Sequence, residues 1–195
     1  MSDLNNDLEA LVNNMGMSIS DEIPSLEQTN VEQTAEEQTA VELEQTAQSE
    51  PEQQVETPAQ EQFENVAKDD MYCLQQNIYF EARNQSINGQ IAVAWVTLHR
   101  VDDPRYPSTI CEVVWQRKQF SWTHDGKSDK PNKSEAGKRA WEDAGLIAKV
   151  VVFDWIKGSN GPVAGATHYH ANYVQPYWAA KLERLGKVGA HIFYK

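Results

Sequence analysis

Long apolar runs are missing from this 195-residue chain. No stretch approaches the about 18 consecutive apolar residues that a membrane-spanning helix needs, so no span and no membrane partner are expected. Cysteine is nearly missing. Cys73 and Cys111 are the only two, too few for a disulfide scaffold or a four-cysteine zinc site. No HExxH motif occurs. No run of Lys or Arg is present, which argues against a nucleic-acid partner. Met1 to Ala10 are acidic, with neither a basic stretch nor an apolar one, so no secretory signal is expected there.

What is present is unevenly shared. Residues 1–70 hold 18 of the 29 acidic residues and one Lys, whereas all six Trp and all seven Tyr follow position 70. Residues 71–195 carry a net charge of +5, so the acidic balance belongs to the front of the chain. Leu4, Leu8, Leu11 and Val12 allow a short amphipathic helix. Glu-Gln-Thr then recurs at 27–29, 32–34, 37–39 and 44–46. So few apolar residues cannot offset the entropy of ordering, and Pro51 and Pro58 interrupt helix formation. The sequence therefore predicts a disordered acidic tail over 1–67, a solvated tether, and one folded domain over 68–195. About 125 residues suffice for one core.

The domain reads as helix-dominated with minor β elements. Leu74, Ile78 and Ala82 recur at helical spacing, predicting a helix over 69–85, with Asn88-Gly89 as its breaker. Ile91, Trp95, Leu98 and Val101 mark a second helix over 90–101. Thr109 with Glu112 has capping-box spacing and opens a short helix to about Arg117. Residues 118–133 read as a long loop or irregular hairpin. Ser134 caps a long helix to about Lys157, with Ala140, Ala144, Ile147, Val151 and Trp155 as its apolar face and Gly158 as its stop. Residues 166–174 read as a strand or extended loop. Pro176 starts a short helix to Leu185, ended by Gly186, and 188–194 form a terminal strand.

Three clusters carry chemistry. Glu81, in IYFEARNQS, follows Ile78, Tyr79 and Phe80. A carboxyl among apolar groups holds its proton near neutral pH, as a general acid for glycosidic cleavage requires. The competing reading pairs it with Arg83 or Arg100 on a solvated face. The loop QFSWTHDG sets Gln119, Ser121, Trp122 and His124 together, hydrogen-bonding groups beside a flat aromatic surface, a composition that suits a glycan cleft. The alternative there is a core Phe120 and a half-buried Trp122. In THYHANY, strand alternation places His168 and His170 on one face, with Tyr169 and Tyr173 beside them. With His191, the two histidines raise a zinc site, but a cleft-lining or packed role is preferred, and no metal or other cofactor is expected. Cys73 and Cys111 are either a disulfide or two buried thiols.

Read together, NIYFEARNQSINGQIAVAWVTLHRV, YPSTICEVVWQ, QFSWTHDGKSD, GATHYHANYVQPYWA and GAHIFY resemble the SleB-type cell-wall hydrolases, the spore-cortex-lytic group. The five blocks run in order over about 73–194. The resemblance implies a lysozyme-like or resuscitation-factor-like α+β domain that cleaves peptidoglycan glycan strands, with Glu81 as acid/base. The expected substrate contacts are Gln119, Phe120, Ser121, Trp122, His168, Tyr169, His170 and Tyr173, from the two aromatic and hydrogen-bonding blocks. Family members related to spore germination act as lytic transglycosylases. The ATHYHANYV block departs from the spore enzymes, so cortex specificity is not carried over. The sequence lacks the signal expected of exported members, and a phage lysin or virion-carried enzyme fits.

Two routes follow cleavage of the MurNAc–GlcNAc β-1,4 bond. In a transglycosylase the MurNAc C6 hydroxyl closes a 1,6-anhydro ring, with Glu81 as base. In a hydrolase a second carboxylate assists from roughly 5–9.5 Å, and Asp125 and Asp129 are the nearest candidates. The one-carboxylate route is favoured. The alternatives are a metal-dependent N-acetylmuramoyl-L-alanine amidase built on His168, His170 and His191, and a non-catalytic wall-binding or virion structural module. A monomer is expected.

Overall fold

A computed structural model describes residues 58–195. The amphipathic and tether readings of residues 1–57 lie outside the described residues. Five α-helices precede a small sheet: α1 Pro58–Glu64, α2 Lys68–Ala82, α3 Ile87–Asp102, α4 Ile110–Trp115 and α5 Glu135–Ile156. The strands are β1 His168–Ala171, β2 Arg184–Val188 and β3 His191–Tyr194, antiparallel in the order β1-β3-β2. The fold is α+β and helix-dominated, as the pattern predicts. Among the described residues no helix is long and apolar enough to cross a membrane.

Helical periodicity locates the core. Leu74, Ile78 and Ala82 are buried on one stripe of α2, and Ala144, Ile147 and Val151 on one stripe of α5. Between them α3 is buried almost all round from Gly89 to Arg100, as expected of a central helix. Ser134 accepts a hydrogen bond from the Gly137 N–H at the start of α5, and Gly158 (φ +84°) follows its end. Gly161 has φ +58°, and a Cβ there would run into the Trp95 ring. The backbone therefore passes over that indole at a distance only glycine permits.

One polar cluster inside the core is paired. Asn77 donates to the Thr97 hydroxyl at 3.1 Å and accepts from the Trp122 indole N–H at 3.2 Å. Cys73 and Cys111 form a disulfide that ties α2 to α4. Asp70 accepts the Cys111 backbone N–H at 2.8 Å, reinforcing the same junction.

Several predicted boundaries move. Asn88-Gly89 does not break α2. The two residues lie in the first turn of α3, whose cap is Ser86 accepting from Gly89. The 118–133 segment is not a hairpin; it holds one 3-10 turn, Ser121–His124. The helix expected from Pro176 to Leu185 reduces to the 3-10 turn Ala179–Lys181, and Arg184–Val188 is strand β2. The register of that strand slips between Arg184 and Gly186, leaving Leu185 without a partner on β3. Residues 58–66, assigned by composition to the tail, include helix α1. Phe63 meets Phe153 of α5 edge-on at 6.0 Å, and Val66 packs on the core. Pro58 opens α1 at its first position, where its missing N–H costs no bond.

Candidate active site

The end of α2 and the sheet enclose a cavity of about 230 Å³. Its wall includes Phe80, Glu81, Arg83, Asn84 and Gln85 from the α2 end, Ala171 and Tyr173 from the β1 end, and Ala190 and His191 from the β2–β3 turn. Helical spacing explains the position of Glu81. Leu74, Ile78 and Ala82 point into the core, so the residue one step before Ala82 emerges at the edge of that face.

Glu81 is largely shielded from water, and burial raises its pKa above the ordinary 4.5. Two groups oppose that shift. The Tyr169 hydroxyl donates to Glu81 Oε2 at 2.9 Å, and the Arg100 charge acts from farther away. Among the described residues nothing hydrogen-bonds the other carboxyl oxygen. Burial thus favours the protonated acid, while the phenol supplies a donor for the carboxylate. Burial, together with the nearby Glu81 charge, pushes the Tyr169 phenol well above 10, so it remains a donor.

Arg100 is buried on α3. Its Nε donates to the Thr167 carbonyl at 2.9 Å, and its guanidinium lies 5.3 Å from the Phe120 ring centroid and 5.5 Å from that of Tyr106. It thereby fixes the backbone just ahead of β1, the strand that carries Tyr169. Gln85 performs a similar service at the other wall, where its side-chain carbonyl accepts the Ala190 N–H at 3.1 Å.

His191 is 8% exposed, and its ring meets Tyr169 edge-on at 5.0 Å. Burial, with a smaller effect of His170, lowers its pKa, so the ring is neutral near pH 7. Sequence reading weighed His191 only as a metal ligand. Its place beside Glu81 follows from the β1–β3 register, which sets Ala171 opposite His191.

The remaining predicted residues separate. Tyr169 and His191 share one face of the sheet. His168 and His170 occupy the other, both against Trp178 at 5.4 and 5.6 Å, and His170 also hydrogen-bonds the Tyr194 hydroxyl at 3.0 Å. The three histidines of the amidase alternative therefore do not converge. Among the described residues no group of three or more His, Cys, Asp or Glu side chains is placed to hold a metal ion. Phe120 and Trp122, expected on the cleft surface, are 2% and 7% exposed and belong to the core. Trp122 stacks beneath Phe80 at 4.7 Å and 21°, so it supports a cavity wall from behind. Gln119 is partly buried and Ser121 exposed on the flanking loop. Tyr173 is 85% exposed at the cavity mouth. Asp125 pairs with Lys127 at 3.6 Å on the surface, and the Asp129 carbonyl accepts from Gln76. Neither aspartate lines the cavity, and among the described residues Glu81 is the single carboxyl in its wall.

The model of the Cell Wall Hydrolase family matches residues 84–194, starting just after Glu81 and including the opposite wall of the cavity. The spore cortex-lytic enzyme of Oceanobacillus iheyensis is 24% identical over 139 residues, covering 71% of this chain and 46% of that protein. That of Bacillus cereus is 28% identical over 144 residues, covering 71% and 50%. The chain spans no more than half the length of these curated relatives. Among solved structures, the catalytic domain of the germination-specific lytic transglycosylase SleB from Bacillus anthracis superposes with a TM-score of 0.52 at 28% identity, over 67% of this chain and 98% of that domain. With more than half its length matched by the family model and its helices and sheet arranged as in that domain, the chain belongs to the Cell Wall Hydrolase family.

Proposed function

We propose that residues 68–195 form a catalytic domain that cleaves the MurNAc–GlcNAc β-1,4 bond of peptidoglycan as a lytic transglycosylase, with Glu81 as its acid and base. One observation carries this reading: a single carboxyl, desolvated and backed by a phenol donor, faces a cavity whose wall holds no second acid among the described residues. The likeness to SleB, named a lytic transglycosylase, supports it.

In the first step the protonated Glu81 gives its proton to the glycosidic oxygen. The bond from that oxygen to MurNAc C1 breaks, and positive charge develops at C1. The Glu81 carboxylate left behind is stabilised by the Tyr169 hydrogen bond and the Arg100 charge. In the second step the C6 hydroxyl of the same sugar attacks C1. Its proton passes to Glu81, a 1,6-anhydro ring closes, and the acid is restored. No water is consumed. A two-carboxyl hydrolase uses its second carboxyl as a base on the opposite face or as a nucleophile, and among the described residues the cavity wall supplies no second carboxyl for either role. Phe80 and Tyr173 offer flat surfaces to the sugar rings. A non-catalytic wall-binding module has no use for a buried acid held beside a phenol.

Glu81→Gln tests this directly. Loss of general acid catalysis is expected to slow release of fragments from purified sacculi by about 10²–10⁴-fold, with circular dichroism and melting showing a folded chain. Wild-type release by that variant would remove Glu81 from the mechanism.

A further inference from the structure

A larger cavity, about 600 Å³, lies next to the first. Tyr173 lines both, so the two form neighbouring parts of one surface. The second is walled by His170 and Tyr194, on the sheet face opposite Tyr169, and by Tyr177 and Arg184. Tyr173 and Tyr177 are 85% and 84% exposed. Two large rings left open to water beside one groove mark a binding surface. Arg184 makes no ion pair with any other described residue, and Lys181 lies 5.8 Å from the Tyr177 ring centroid. The groove therefore offers the Arg184 guanidinium and three phenols, with Lys181 just outside its wall, and among the described residues no carboxylate lines it.

In peptide-bearing strands the MurNAc lactyl carboxyl is tied up in the amide to the peptide, so the glycan itself is neutral and does not account for the cations. The peptide attached to each MurNAc lactyl group carries free carboxylates and amide bonds. A guanidinium takes a carboxylate through paired hydrogen bonds, and tyrosines pack on peptide while donating to its carbonyls. We propose that this groove is a stem-peptide site: Arg184 binds a peptide carboxylate, and Tyr173 and Tyr177 hold the peptide backbone, while the glycan occupies the Glu81 cavity. This deepens the glycosidic reading and rests on it for the placement of the glycan. Its consequence is a preference for peptide-bearing strands.

The test uses the full chain carrying Glu81→Gln, which binds without cutting, with and without Arg184→Gln. The probes are soluble glycan strands bearing their peptides, and the same strands stripped by an amidase. Arg184→Gln is expected to weaken binding of peptide-bearing strands about tenfold, the loss of one charge-assisted contact. Stripped strands are expected to bind both forms alike. Tyr177→Ala should show the same selectivity. Equal weakening on both strand types would assign Arg184 to the glycan or its lactyl carboxylate, and no weakening on either would empty the groove of a role. Both results overturn the proposal. Release of sugar ends by chains with Glu81 intact is followed in parallel. Its absence would defeat the glycosidic reading without touching the binding comparison.

Discussion

Tyr169 donates its phenol proton to Glu81 across 88 residues of chain, at 2.9 Å. That bond favours the carboxylate, whereas burial favours the acid, and burial is the larger effect. Tyr169→Phe removes the opposing effect alone. The Glu81 pKa is expected to rise further, moving the alkaline limb of the activity profile to higher pH. The carboxylate formed in the first step loses a hydrogen bond to a charged group, which contributes about 1.5–3 kcal/mol. The maximal rate should fall about 10–100-fold. A pH–rate profile of the variant separates the two effects.

Glu81 also makes stability depend on pH. Its folded pKa lies above 4.5 because burial penalises the charged form. Below 4.5 both folded and unfolded chains are protonated there, and no penalty exists. As pH rises through the folded pKa the penalty becomes complete, so this group's favourable balance is lost toward neutral pH. Glu81→Gln carries no charge and keeps an acceptor for Tyr169. It should melt above the wild type at pH 7, with the gap closing near pH 4. Melting curves at a series of pH values read this. A gap independent of pH would contradict the desolvated carboxyl.

Much of this was legible in the sequence, and the rest fails for identifiable reasons. Helices α2 and α5 declare themselves because their buried stripes recur every three to four residues, and α5 also carries a local cap in Ser134. Glu81 stands out because its apolar neighbours precede it directly in the chain. Strand β2 does not, since RLGKV is mostly exposed and an edge strand with an irregular register shows no clean alternation. The β1 alternation correctly puts His168 with His170, but only the pairing of β1 with β3 reveals that His191 lies on the other face. Trp122 illustrates the same limit. Its polar neighbours suggest a cleft, and only Asn77, 45 residues away, shows that its N–H is satisfied inside the core.

Trp122→Phe distinguishes those two positions. The ring is kept for Phe80 to stack on, but Asn77 Oδ1 loses its donor. A buried acceptor left unpaired costs about 1–3 kcal/mol. Chemical denaturation should show that loss, while KM for soluble strands changes less than twofold. A large rise in KM at unchanged stability would return Trp122 to the substrate surface.

The disulfide joins residues 38 apart. Confining that loop in the unfolded chain contributes about 4 kcal/mol on the loop-entropy model. Cys73→Ser with Cys111→Ser, or reduction of the wild type, should lower the unfolding midpoint by a matching amount. The Asp70 contact to Cys111 N–H remains in either case, so activity at 25 °C should persist where the chain is still folded.

Mass spectrometry of purified sacculi digested by the full chain tests the central claim most directly. Muropeptides ending in 1,6-anhydroMurNAc, absent after digestion by Glu81→Gln, are the predicted products. Reducing MurNAc ends would show that water takes the place of the C6 hydroxyl. Free stem peptides released from uncut glycan, undiminished in the Glu81→Gln digest, would contradict glycosidic cleavage altogether.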